Sequence, residues 1–302
     1  MKNSFPIARI LVPVDRSDSS LVSQETAAFI AKKTQAEVTI LHVIPSAVSY
    51  GKTESAEASS EIPSTIESKV LQARELEMTI LESLFQEGQR IVAEAKALFA
   101  EEQIDAETEI VREHDPAEAI LDYAEKFDLT IMAAHGESEK ELFALGKVTK
   151  KVIRHTNCPT LIVKRASALL KILVAIDGSE NSRNALSYSS KLAEKLGSKI
   201  TILNVDDTHL PETSPTLAEE LGNQILSDSL AAFGIVKSSV NQMSKFGQPS
   251  DVITKTAEEG QYDLIALGSR GLGKVKKFTF GSVSDSVSAK AKCSVLIVPP
   301  KK

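Results

Sequence analysis

The feature that most constrains this chain is that it is written twice. Ile10-Leu11-Val12-Pro13-Val14-Asp15 reappears as Ile172-Leu173-Val174-Ala175-Ile176-Asp177, 162 residues on. Val38-Thr39-Ile40-Leu41-His42-Val43 reappears at the same offset as Ile200-Thr201-Ile202-Leu203-Asn204-Val205. Asp128-Leu129-Thr130-Ile131-Met132 and Cys158-Pro159-Thr160-Leu161-Ile162-Val163 recur only 135 residues later, as Asp263–Leu267 and Cys293–Val298. Four blocks in one order mean an internal duplication. The change of offset places about 27 extra residues in the first copy, between its second strand and Asp128.

Each block is a short, β-branched, mostly apolar run, the pattern of a strand buried on both faces. Helical patterns lie between them. Ser17 to Lys33 and Ser179 to Leu196 each open on a serine suited to an N-cap. Pro116 to Lys126 and Pro249 to Glu259 open on a proline, whose missing N–H is harmless at a helix start. Alternating strands and helices give right-handed βαβ units and a parallel sheet. Two α/β domains are therefore expected, 1–166 and 167–302, each with about five strands and four helices. Ser46 to Ser64 reads as a loop. From Thr65 the residues Ile66, Val70, Ala73, Ile80, Leu84, Ile91, Ala95 and Leu98 keep a helical period, with a break expected at Gly88. This insert, near 46–100, reads as an extended surface helix or a docking helix for another chain.

With 42% hydrophobic and 25% charged residues in 302, each half can bury its own core. Disorder, collagen and a disulfide scaffold are excluded. No run of about 18 apolar residues exists, so no membrane span is expected. Nothing near Lys2 reads as a secretory signal, and a cytoplasmic location is expected. The net charge of −6 argues against nucleic acid, which selects a basic footprint. The two halves differ: residues 1–165 carry 19 basic and 27 acidic side chains, residues 166–302 carry 16 and 14.

The most informative stretch is Leu267-Gly268-Ser269-Arg270-Gly271-Leu272-Gly273-Lys274, followed by Gly281-Ser282-Val283-Ser284. It leaves an expected strand and enters an expected helix, Val283 to Ala291. Ligands of parallel sheets bind at the strands' carboxyl ends. Glycines there admit phosphate oxygens to backbone N–H groups. Gly281-Ser282 would present free amides and a hydroxyl at a helix N-terminus, which favours an anion, with Arg270, Lys274, Lys276 and Lys277 adding positive charge. It is not a P-loop, because Val275 stands where a Ser or Thr should bind magnesium, and it lacks the third glycine of the dinucleotide fingerprint.

The pattern that fits is Gly268-x2-Gly271-x9-Gly281-Ser282. With Val174-Ala175-Ile176-Asp177-Gly178-Ser179, Asp263–Gly268 and Lys292–Val298 around it, the chain resembles the universal stress protein family, in its ATP-binding branch with two tandem domains. The resemblance covers nearly all of both halves. It implies Rossmann-like (adenine nucleotide alpha hydrolase-like) domains and an adenine nucleotide ligand: ATP, ADP or AMP, with or without Mg2+. It implies that Asp177, at the end of Ala175-Ile176, holds the ribose hydroxyls and that Val205 meets the adenine. It further implies that Leu267, Gly268, Arg270, Gly271, Gly281 and Ser282 hold the phosphates, with Val283 and Ser284 adding contacts. An ionised carboxylate only accepts hydrogen bonds, which suits a ribose diol.

The first half departs from this pattern. Ala133 stands for Gly268 and Lys147 for Ser282, while Glu137, Glu139 and Glu141 stand where the second half has Leu272, Lys274 and Lys276. A carboxylate 4 Å from a phosphate costs on the order of 4 kcal/mol at an effective dielectric of about 20. One competent site, in the second half, is expected. Cys158 and Cys293 read as buried thiols rather than a disulfide. The five histidines and the cluster Asp206, Asp207, His209 and Glu212 form no metal-ligand spacing. His42 and Asn204, on matched strands, read as structural. No residue is nominated as catalytic. The expected role is that of an ATP-binding stress or regulatory module in which nucleotide sets the Gly268–Gly281 segment and so a protein partner's contacts. Alternatives are slow ATP hydrolysis and a nucleotide-free scaffold. Relatives pair through the last strand, which implies an intrachain pseudo-dimer or a homodimer.

Overall fold

The computed structural model describes residues 7–45, 64–112, 114–136, 145–207, 214–232, 240–271 and 280–300. In the first half β1 (Arg9–Pro13), α1 (Asp18–Thr34), β2 (Glu37–Ile44) and α2 (Ser64–Glu101) precede β3 (Glu107–Arg112), α3 (Pro116–Ala124), β4 (Leu129–Ala133), α4 (Lys147–His155) and β5 (Thr160–Val163). The second half repeats the order. It has β6 (Lys171–Ile176), α5 (Glu180–Leu196), β7 (Lys199–Asp206), α6 (Pro215–Ala231), β8 (Asn241–Phe246), α7 (Pro249–Glu259), β9 (Leu264–Gly268), α8 (Ser282–Lys290) and β10 (Ser294–Val298). The helix starts expected from serine and proline hold: Ser17 accepts from the Ser20 N–H and Ser179 from the Ser182 N–H, while Pro116 and Pro249 begin their helices. The loop expected over Ser46 to Ser64 falls outside the described residues except for Ser64, which begins α2.

All ten strands form one sheet in the order β3-β2-β1-β4-β5-β10-β9-β6-β7-β8. Pairing is parallel within each half and antiparallel at one seam, where Leu161 stands opposite Leu296. The apolar cores run across that seam on both faces of the sheet. On one face Leu161 and Val163 cluster with Leu296 and Val298 under α1, α2, α5 and α6; on the other Ile153 and Ile162 cluster with Val295 and Ile297. Side chains on a strand alternate between faces, so one buried run serves both cores. The edge strands β3 and β8 are largely exposed, as the polar sequences of both require.

Polar contacts also cross the seam. The Tyr188 hydroxyl donates to the Asp128 carbonyl at 3.0 Å, and Lys164 Nζ donates to the carbonyls of Ala291 and Ala289 at the end of α8. Burial pushes the Lys164 ammonium down to about 8. Cys158 and Cys293 are free and buried. Each precedes one strand of the antiparallel pair and so lies at its opposite end. Burial raises their thiols to about 12 and about 11.

The break expected at Gly88 is absent: α2 is one continuous helix of 38 residues. Gly88 has a different reason. A Cβ there would lie 2.9 Å from His42 Cδ2, so the glycine lets α2 rest on the histidine ring. Gly222 of α6 faces Asn204 and Ser244 in the same way. These glycines stand 134 residues apart. The extra residues of the first half therefore precede Gly88 and lengthen the N-terminal part of α2, where Leu76, Met78, Ile80 and Leu84 are exposed.

Candidate functional site

In the second half β6 lies between β9 and β7. The chain leaves β6 toward β7 on one side and returns through β9 on the other. This is a topological switch point, and the crevice at its carboxyl end is where such sheets bind ligands. Asp177 is the residue that follows β6. Its Oδ1 accepts from the Ser179 N–H at 2.9 Å, and its own N–H donates to Ser182 Oγ at 3.4 Å. The carboxylate is thus fixed at the mouth of the crevice, half-buried. Gly178 takes a φ of +81°, the left-handed conformation that glycine adopts without strain.

Gly271 passes beneath this carboxylate. A Cβ there would sit 2.5 Å from Asp177 Oδ2, too close for any side chain. Gly268 is needed for another clearance: its Cβ would fall 2.7 Å from the Asn181 carbonyl carbon, in the first turn of α5. Neither glycine has a positive φ, so clearance rather than backbone conformation selects both. The Gly281 N–H donates to the Ser269 carbonyl at 2.9 Å, and it is not one of the free amides that the sequence suggested. The amides of the next turn remain, because α8 has no side-chain cap on its N-terminus and a helix cannot satisfy these groups internally. Ser282 is exposed there, whereas Ser284 is buried and donates to the Gly268 carbonyl at 2.8 Å.

Of the apolar residues expected at the site, Ala175 and Leu267 belong to one cluster, with Val205, Phe280 and Val283 packed against it. They form a continuous apolar wall on one face of the sheet. Ile176 points the other way, into the opposite core, and its carbonyl accepts from Asn204 Nδ2 at 2.8 Å. Arg270 is half-buried beside Gly271. Lys274, Lys276 and Lys277 lie outside the described residues, as do Glu137, Glu139 and Glu141, and His209 and Glu212. Among the described residues no group of three or more His, Cys, Asp or Glu is placed to hold a metal ion.

The first half preserves this framework almost bond for bond. Asp15 Oδ1 accepts from the Ser17 N–H at 2.9 Å, and a Cβ on Gly136 would lie 2.9 Å from Asp15 Oδ2. The Gly146 N–H donates to the Ala134 carbonyl, and Thr149 Oγ1 to the Ala133 carbonyl, both at 2.9 Å. His42 Nδ1 meets the Val14 carbonyl at 2.9 Å, as Asn204 meets Ile176. Sequence reasoning noticed His42 and Asn204 as a pair but missed what they do, which is to tie the end of the first strand just before the aspartate. It missed Gly88 and Gly222 altogether, since their signal is a shared position against a matched polar residue.

A duplicated, doubly wound α/β protein with a glycine-lined crevice at each switch point is the class these features define. The chain belongs to the universal stress protein family, which matches it twice, over residues 6–164 and 169–299. It is 26% identical over 306 residues to a universal stress protein of Mycolicibacterium smegmatis, covering 97% of both chains. The crystal structure of a universal stress protein from Archaeoglobus fulgidus superposes with a TM-score of 0.68 at 23% identity, over 97% of this chain and 98% of that one. A functionally unknown protein from Pseudomonas aeruginosa gives 0.64 at 18% identity, over 99% and 95%. These two likenesses concern the fold.

Proposed function

We infer that this tandem universal stress protein binds an adenine nucleotide in its second domain, residues 167–302, and acts as a nucleotide-dependent regulatory module. The observation that carries this reading is the convergence at one switch point of an acceptor, an apolar wall and an anion-favouring helix end. Asp177 would accept from the ribose hydroxyls. Val205 and its neighbours offer a surface for the base. Gly271 leaves room beneath the carboxylate, and the first-turn amides of α8 with the Ser282 hydroxyl would receive phosphate. Arg270 adds charge nearby. When bound, the nucleotide supplies a phosphate chain whose charge these groups answer; Mg2+ would be carried by that chain.

The antiparallel β5–β10 pairing supports reading the chain as its own pseudo-dimer. Two free, buried thiols suit a reducing cytoplasm. Nucleotide-stripped protein titrated with Mg-ATP in a calorimeter is expected to bind one equivalent per chain. Two equivalents would show that the first domain also binds, and none would remove nucleotide from the function and favour a scaffold.

A further inference from the structure

We propose that Arg154, at the end of α4 in the first domain, is a positioning residue that sets anion affinity at the start of α8 in the second. The proposal rests on the nucleotide reading above. The two helices meet across the seam: one guanidinium nitrogen of Arg154 donates to Asp285 Oδ1 at 2.9 Å and Oδ2 at 3.0 Å, and Nε reaches Oδ1 at 3.2 Å. Asp285 is the acidic residue in the first turn of α8, and its N–H donates to the Gly281 carbonyl. Its carboxylate therefore stands one turn from Gly281-Ser282. A carboxylate there favours the bare helix end, but it opposes a phosphate arriving at that same end.

Arg154 occupies both oxygens in the bidentate geometry that guanidinium makes best. Both side chains are close to half exposed, and an exposed pair contributes little to folding stability. Its effect is on local charge: it cancels the one carboxylate in that turn and leaves guanidinium N–H groups beside the crevice. The repeat supplies no mirror image of the pair. The positions matching Arg154 and Asp285 are Ala289 and Lys150, so the first domain tunes the second without reciprocity. Lys150 and Lys147 leave the first turn of α4 with no acid to neutralise.

The test is a calorimetric comparison of the full-length chain with Arg154→Ala, Asp285→Asn and the double variant, using Mg-ATP and adenosine as probes. Arg154→Ala is expected to weaken ATP binding about fivefold at low salt, the scale of one charge at close range in near-aqueous dielectric. It should leave adenosine binding unchanged. Asp285→Asn should bind ATP at least as tightly as the natural chain, and the double variant should match Asp285→Asn. The Arg154→Ala deficit should shrink in about 1 M salt, where screening is within about 3 Å. A double variant as weak as Arg154→Ala, or an equal loss for adenosine, would mean a structural role and overturn the proposal. So would ATP affinity unchanged in Arg154→Ala. Failure of the natural chain to bind ATP would overturn the nucleotide reading itself, and this proposal with it.

Discussion

The two domains share a framework and differ in what they hang on it. Both have the aspartate fixed by the next turn's serine, the glycine beneath it, the hydroxyl tied back to the strand end and the uncapped helix. What changes is the lining. Gly178 becomes Arg16, whose Nε reaches Glu87 Oε1 of α2 at 2.9 Å. Gly268 becomes Ala133, and Ser282 becomes Lys147. Backbone bonds survive such exchanges because they do not depend on side-chain identity. The phosphate-facing chemistry does not survive, because it depends on little else. Degeneration of a site can thus proceed with its architecture intact.

The widest separation between the domains is expected from matched glycine variants. Gly271→Val drives a side chain into Asp177 and should weaken nucleotide binding by about 30-fold or more, the scale of a lost hydrogen bond to a charged group. Gly136→Val makes the same intrusion on Asp15 and should leave the titration unaltered. Equal losses would place the competent site in both halves. The helix glycines should separate in stability. Gly88→Ala presses on a His42 ring already held by the Val14 carbonyl and is expected to cost about 1–3 kcal/mol. Gly222→Ala meets chiefly the Ser244 hydroxyl, which can rotate away. The gain in helix propensity of about 1 kcal/mol should leave its urea midpoint nearly unchanged.

The smallest effect concerns the seam. Lys164 titrates near 8 in the folded chain against an ordinary 10.5. Between those values the unfolded chain holds more protons, so stability rises with pH across that window. Urea midpoints at pH 7.5 and pH 10 should show this rise in the natural chain and a smaller one in Lys164→Met.

Much of this was legible in the sequence because repetition doubles every signal. The strands, the order of elements and the helix-capping serines were read twice, each copy checking the other. The site's outline was legible for the same reason, through Asp177 and the glycine spacing. Clearances were not legible. Gly88 looked like a helix breaker because its partner, His42, is distant in sequence. Gly281 looked open because the Ser269 carbonyl that takes its N–H lies across a loop. Ile176 could not be assigned to a face until the register against Asn204 was known. The Arg154–Asp285 contact joins positions that the repeat does not relate, so comparing the copies could not reveal it.

The single antiparallel seam has an evolutionary consequence. In a symmetric homodimer every substitution occurs at both sites, so neither can be spared while the other changes. Joining the two halves in one chain lifts that restriction. It also fixes their pairing by tether rather than by protein concentration. One domain is then free to lose a ligand while it keeps shaping its neighbour's, so inheritance, not binding, sets which half is the sensor and which is the support.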